Sequence, residues 1–411
     1  MSSIEDIRLR VIFDSRGDKT VEAEVITKSS RGVASCPAGA SKSIYEVETI
    51  PKEGLNSAIT DFNKKVKPKL LGIDVRNQEE IDSILIQLDG TERLEKYGAA
   101  IILSVSIAVL KAAAMYEKKA IFEYIKPFTD YSLPRPLGNI IGGGKHARGR
   151  SIDIQEILVF CENASSIEEA IEANIKMHRK LFKLLSINDP NFAGGKNDEG
   201  ALVTRMPLKK VLSLVKQAKQ ELEKEDGKKM IIGLDVAASS LWNGSKYEYS
   251  VENKTLTESE QMEFISRIIE DFDIYYVEDP FHEDAFNSFS ELQEKYKDVL
   301  VVGDDLFASN EERLRKGIIN KVAKGIIIKP NQVGTITRIT RTIKTALDNG
   351  IKPIVSHRSG ETEDNFIAHL ATAYSAPLIK TGTIGGERVV KLNELIRIAE
   401  YLGPRAKLGK L

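Results

Sequence analysis

The chain is 411 residues long, which is room for one large domain and one smaller one. Its 59 basic and 60 acidic residues leave a formal charge of −1 with no basic stripe, which argues against a dedicated nucleic-acid binder. Two cysteines, Cys36 and Cys161, are too few for a disulfide framework and fit a reducing, cytoplasmic setting.

Residues 4–13 (IEDIRLRVIF) alternate apolar and polar, as a half-buried strand does. Asp14 to Asp18 is a turn, Thr20 to Thr27 alternates again, and Gly32 to Cys36 reads as a third strand, so the chain opens as an antiparallel meander. The opening MSSIEDIRLR lacks the apolar core of a signal peptide. A small-residue loop follows, Pro37 to Ser43, in which Gly39 is free to take unusual backbone angles. Helical patterns cover Glu53 to Val66, Asn77 to Leu88 and Gly98 to Glu117. The most apolar run, Ala99 to Leu110, is broken by Lys111, too short to span a bilayer, and reads as a buried helix. Leu133-Pro134-Arg135-Pro136 marks a boundary between a first domain (1–132) and a second (133–411).

NIIGGGKHARG comes next and fails as a phosphate-binding loop of the Walker type, because Asn139 and His146 stand at two of the required positions. SIDIQEILVF is a strand with Gln155 and Glu156 in its interior, where a glutamate is costly unless paired or used. His178, on a helix from Ile167 to Leu185, has polar neighbours and reads as an ordinary surface or boundary histidine. Glu199 sits in a glycine-rich loop, where taken alone it reads as a solvated charge.

From here one layout repeats. Short apolar runs stop at a polar residue: MIIGLD at Asp235, IYYVEDP at Glu278 and Asp279, VLVVGDD at Asp304 and Asp305. GIIIKP stops at Lys329, KPIVSHRS at His357, Arg358 and Ser359, and APLIKTG at Lys380. The intervals from Glu278 onward are 26, 25, 28 and 23 residues, with helical stretches between, which is the spacing of successive strand–helix units. The fold class expected is α/β, a (β/α)8-type barrel preceded by a smaller α+β domain, since the strand ends of such a barrel converge on one face. A doubly wound open sheet is the alternative, but its strand ends converge only near a switch point. Residues 242–257 interrupt the series as an extra hairpin, and Glu387 to Tyr401 closes it as an amphipathic helix.

Asp235, Glu278 and Asp304 end three consecutive runs. Converging carboxylates repel unless a cation lies among them, and oxygen ligands without sulfur favour Mg²⁺ over Zn²⁺; three separate salt bridges are the plainer reading. Lys329, Arg358, Ser359 and Lys380 on the opposite side suit a substrate bearing phosphate and carboxylate. Lys329 taken alone is a strand-end lysine reaching water. Crowded by other cations and a metal, it would have its charged form disfavoured and could serve as a general base.

With these residues in place, the chain resembles enolase along nearly its whole length. The matching segments are FDSRG (13–17), AGAS (38–41), LDGTE (88–92), GGKHA (143–147), DIQE (153–156), NDEG (197–200), IGLD (232–235), VEDPF (277–281), GDDL (303–306), IIKPNQVGT (327–335), SHRSGETED (356–364) and IKTG (379–382). The Lys-Pro-Asn-Gln form looks more like the archaeal enolases. The resemblance implies reversible dehydration of 2-phospho-D-glycerate to phosphoenolpyruvate with two Mg²⁺ per site. It implies Asp235, Glu278 and Asp304 as ligands of the first ion, and Ser41 as a ligand of the second that closes over the substrate. It implies Lys329 as the base at C2 and Glu199, with Glu156 beside it, as the acid at the C3 hydroxyl. Arg358 and Ser359 are implied as phosphate contacts and Lys380 as a carboxylate contact, with His146, Gln155 and His357 lining the pocket. It also implies a homodimer or an octamer, and leaves a different carboxylate substrate or a secondary surface-binding role as alternatives. Departures lie in loops: Ser43 stands where glycine is common, which stiffens the loop around Ser41, and Lys145, Asn197, Ala201 and Gly386 replace other small residues.

Overall fold

Alternation at the start of the chain produces β1 (Ile4–Phe13), β2 (Lys19–Thr27) and β3 (Arg31–Ser35), paired antiparallel in the order β1-β2-β3. The computed structural model describes residues 1–40, 42–147 and 151–411. Val21, Ala23 and Val25 put one face of this sheet into the core, against the helix Gly98–Tyr116. Gly32 allows that approach, because a Cβ there would lie 1.9 Å from the Ala108 carbonyl oxygen. The helix runs on through Lys111, as the helical pattern from Gly98 to Glu117 predicts. The Lys111 ammonium leaves the apolar surroundings to pair with Asp364 at 2.8 Å. By length and mean hydropathy (2.0) this helix could cross a membrane, yet 89% of it is buried inside the molecule, as in a core helix.

The second part contains β4 (Arg135–Gly142), β5 (Glu156–Cys161), β6 (Met230–Asp235), an outer hairpin of β7 (Tyr247–Tyr249) and β8 (Lys254–Leu256), then β9 (Ile274–Glu278), β10 (Leu300–Gly303), β11 (Gly325–Ile328), β12 (Lys352–Ser356) and β13 (Leu378–Lys380). All but the hairpin close into a barrel in the order β10-β11-β12-β13-β4-β5-β6-β9. The barrel is not uniformly parallel. β5 runs antiparallel to both β4 and β6, so the chain enters it from the face that every other strand leaves by. It begins at Glu156, with Gln155 just ahead of it rather than in its interior.

The barrel interior is filled by Leu137, Leu158, Phe160, Tyr276, Leu300, Val302, Ile327, Ile354 and Leu378. Side chains on one face of a strand recur every second residue. Two residues beyond Tyr276, Val302, Ile327 and Leu378, at the carboxyl ends, stand Glu278, Asp304, Lys329 and Lys380. Two residues before Leu158, on the reversed strand, stands Glu156. The same period that fills the core therefore aims the acids and the lysines into one mouth, from strands of both directions.

Candidate active site

One pocket at that mouth is lined by His146, Gln155, Glu156, Glu199, Asp235, Lys329, His357, Arg358, Ser359 and Lys380, with Gly39, Ala40 and Ser356. Ten of the expected site residues thus meet in one place. Glu278 and Asp304 lie against it, buried, through their lysine partners. Ser41 lies outside the described residues. Its neighbours on the amino side are fixed: Ala38 and Gly360 exchange backbone hydrogen bonds of 2.8 and 2.9 Å, and the Ala40 N–H donates to Ser359 Oγ at 2.7 Å. Gly39 packs under the Arg358 guanidinium, where a Cβ would lie 1.8 Å from Nη2. On the carboxyl side Ser43 is buried; its hydroxyl donates to Glu283 and, at 3.3 Å, to the Asp305 carbonyl. A glycine there would lack both bonds.

One wall of the pocket is acidic. Lys380 reaches into it, with Nζ 2.8 Å from Asp235, 2.9 Å from Glu278 and 3.0 Å from Glu156. These three carboxylates raise the lysine pKa well above its usual value against the opposing effect of burial. Burial, and then the neighbouring Asp235, push Glu278 well up. Tyr276 donates its hydroxyl to Glu278 at 2.5 Å, and Gln155 donates to Asp235 at 3.1 Å. On the other side Lys329 pairs with Asp304, which also accepts from Gln332 at 3.2 Å. Burial is the largest influence on the Lys329 pKa and lowers it, but Asp304 together with Glu278 carries the net shift upward. Arg358 and Lys380 act in the direction expected of a lysine crowded by cations, while the adjacent Asp304 carboxylate acts against them.

These features decide whether a cation fits. Asp235, Glu278 and Asp304 offer only oxygen, they are buried, and two ammonium groups stand in among them as positive charge. The donor set suits a hard divalent ion. Among the described residues two other close groupings of ligand-type side chains occur: His146, Glu156 and Glu199, and, sharing Asp304, Asp279, Asp304 and Asp305. In the second, Asp279 takes a φ of 42° and turns its carboxylate onto the N–H groups of Asp304 and Asp305, at 2.9 and 2.6 Å. Asp279 therefore braces the loop that carries Asp304.

Glu156 also belongs to a second group of acids, with Glu199. His146 Nδ1 is 3.4 Å from both Glu156 and Glu199, and His357 Nε2 is 3.5 Å from Glu199. The two glutamates diverge. Burial, then the charge on Glu199, lift Glu156 to about 7. Burial would lift Glu199 too, but His146 and His357 facing it carry it well below its usual value. Within this pair, burial and the neighbouring charge favour protonation of Glu156, while the facing histidines favour the ionised form of Glu199. The positions of the histidines make the difference.

Three contributors were not legible as site residues. Asn139, two residues beyond Leu137 on β4, donates Nδ2 to Glu199 at 2.9 Å. The two-residue period locates it once β4 is known to be a barrel strand. His178 is buried, not a surface histidine, and its Nε2 lies 3.1 Å from the Gly200 carbonyl, where it steadies the loop bearing Glu199. Burial lowers its pKa, so it serves as a neutral donor. Glu46, from the first domain, pairs with Arg358 at 2.9 Å and accepts from Ser43 N–H and Gln332 at 3.2 Å each.

Comparison with known proteins is consistent along the whole chain. Residues 4–125 match the family model described as "Enolase, N-terminal domain", and residues 130–410 match "Enolase, C-terminal TIM barrel domain". A protein named Enolase from Pyrobaculum aerophilum is 44% identical over 414 residues, covering 99% of each chain. One of the same name from Methanothermobacter thermautotrophicus is 45% identical over 413 residues, covering 100% of this chain and 99% of its own. Another from Methanosphaera stadtmanae is 44% identical over 404 residues, covering 98% of each. All three are archaeal.

Proposed function

The chain belongs to the enolase family, and we propose that the pocket at its barrel mouth dehydrates 2-phospho-D-glycerate reversibly to phosphoenolpyruvate. It is a phosphopyruvate hydratase, a lyase of glycolysis and gluconeogenesis. The observation that carries the assignment of roles is the pocket itself: Lys329 on one wall faces paired glutamates on the other, with Arg358, Ser359 and Lys380 around them.

Lys329 is the base that takes the C2 proton. It must first lose its own, and Arg358 and Lys380 favour that loss while Asp304 opposes it. Arg358 and Ser359 hold the phosphate, and Lys380 meets the carboxylate, which gains negative charge as the C2 proton leaves. Glu199 delivers a proton to the departing C3 hydroxyl, drawn from the Glu156–Glu199–His146 group, where Glu156 holds one near neutrality. Members of this family depend on a divalent metal. We assign it as Mg²⁺, two per site, held by Asp235, Glu278, Asp304 and Ser41, where it would stabilise the growing charge on the substrate carboxylate. His146, Gln155 and His357 complete the walls. We place the domain boundary between residues 132 and 133, the enzyme in the cytoplasm, and its assembly as a homodimer or octamer, which light scattering would measure.

The test follows the ultraviolet absorbance of the enol double bond after mixing with 2-phosphoglycerate and Mg²⁺. The absorbance should rise, cease to rise with EDTA, and slow by about 10²- to 10⁴-fold in Lys329→Ala, the range for loss of a general base. No rise from folded, Mg²⁺-loaded protein would sink the assignment.

A further inference from the structure

Arg388 is a fully buried guanidinium to which the roles above give no task. It lies at the start of the helix Gly386–Leu402. Nη1 stands 2.9 Å from His357 Nδ1 and donates to the Arg358 carbonyl at 2.5 Å. Nη2 donates to the Ser359 carbonyl at 2.6 Å and to the Asp198 carbonyl at 3.0 Å. A guanidinium donates and never accepts. Nδ1 of His357 must therefore present its lone pair, which leaves the ring proton on Nε2. That Nε2 is buried, has no hydrogen-bond partner among the described residues, and lies 3.5 Å from Glu199. The charged groups facing the ring are Glu199, Arg388 and Glu361; burial is the main cause of a pKa near 4, with Arg388 acting in the same direction.

We propose that Arg388 is a positioning residue that fixes His357 as the neutral Nε2–H tautomer and holds the Glu199 loop in register with the Arg358-Ser359 loop. The consequence is chemical. His357 can only donate, to Glu199 and to the oxygen leaving C3, and a donor aimed there stabilises the negative charge that develops on it. An acceptor at the same place would repel that charge. The carbonyls of Asp198, Arg358 and Ser359, gathered on one planar fork, keep the acid and the phosphate contacts at a constant separation. This inference rests on Glu199 being the acid.

The test is ¹⁵N NMR of histidine-labelled wild-type protein without substrate, with His357→Asn used to assign the signal. The expected His357 pattern is a protonated Nε2 and an unprotonated Nδ1, unchanged from pH 5.5 to 8.5. A protonated Nδ1, or an imidazolium in that range, overturns the proposal. Arg388→Lys retains a donor and Arg388→Gln does not retain the charge. Both should lower kcat about 10- to 100-fold, the range for loss of an orienting partner, with a smaller change in KM. An acid limb absent from wild type should enter the pH profile, most strongly in Arg388→Gln. If the Gln variant folds and keeps both the wild-type tautomer and the wild-type pH profile, the proposal fails. If neither variant folds, the wild-type spectrum decides. Failure to turn over 2-phosphoglycerate would sink the functional assignment but leave the tautomer measurement standing.

Discussion

Arg358 is aimed before any phosphate arrives. Its guanidinium is fully enclosed, with Glu46 at 2.9 Å, Asn331 Oδ1 at 3.1 Å and the bare Cα of Gly39 alongside. Holding a charged group in its working direction removes the cost of ordering it on binding. Replacing Glu46 with Ala takes away a buried carboxylate that anchors it. A hydrogen bond to a charged group contributes about 1.5–3 kcal/mol, so the KM for 2-phosphoglycerate should rise by about tenfold or more, with kcat changing less. Steady-state kinetics on folded Glu46→Ala would show it, and an unchanged KM would mean that Asn331 and the loop suffice. Glu46 could not be found in the sequence because its partner is 312 residues away and nothing near it marks it as buried. Lys329 was legible as a strand-end lysine, but the carboxylate of Asp304 beside it was not, because that depends on which charge lies nearest. Neighbour distances are set by the closed barrel and are not written in spacing.

At the scale of the element, strand ends were legible and strand direction was not. A strand buried on both faces reads as an uninterrupted apolar run whichever way it points, so Glu156 on β5 looked like a charge stranded in a core. Reversing the strand turns it into a mouth residue. Helix starts are fixed by more local chemistry. Thr257 and Glu260 form a reciprocal cap, with the Thr257 hydroxyl accepting the Glu260 N–H at 3.3 Å and the Glu260 carboxylate accepting the Thr257 N–H at 2.8 Å. Thr257→Ala should cost about 1 kcal/mol in a urea titration and leave kcat unchanged. A matching loss of activity would show that the hairpin before it governs the site. Helix pairing supplies a pH-dependent contribution as well. Glu394, on the helix Gly386–Leu402, meets His369, on Phe366–Ala373, at 3.1 Å. That hydrogen bond holds the carboxylate down at about 2. A depressed carboxylate pKa gives stability that is present above the unfolded-state pKa and is lost as pH falls toward the folded one. Wild type should thus lose more stability between pH 5 and pH 3 than Glu394→Gln does. Equal losses in parallel urea titrations would rule the pair out as a contributor.

At the scale of the whole molecule, the small sheet domain is part of the site rather than a cap beside it. Glu46 reaches Arg358, the strip around Ala38 pairs with Gly360, and Ser15 N–H donates to the Glu361 carbonyl at 2.8 Å. Detaching the first domain would uncover Arg358 and Ser359, so the two parts should unfold in one transition. Lys111 tests this from outside the pocket. Its ammonium is 2.8 Å from Asp364, which also accepts the N–H groups of Ser35 and Phe366. Lys111→Met would leave that carboxylate buried with hydrogen bonds but without the ammonium paired to it, at a cost of about 3–5 kcal/mol. The unfolding midpoint should fall while the transition stays single, and Mg²⁺ with 2-phosphoglycerate should raise the midpoint, because ligand binds only when both domains are in place. Fluorescence of Trp242, the one tryptophan, reports on the barrel, and circular dichroism reports on both domains. Coincident curves by the two methods are expected. A first transition seen by circular dichroism alone would mean that the small domain folds and unfolds independently, and that Arg358 is aimed by the barrel without it.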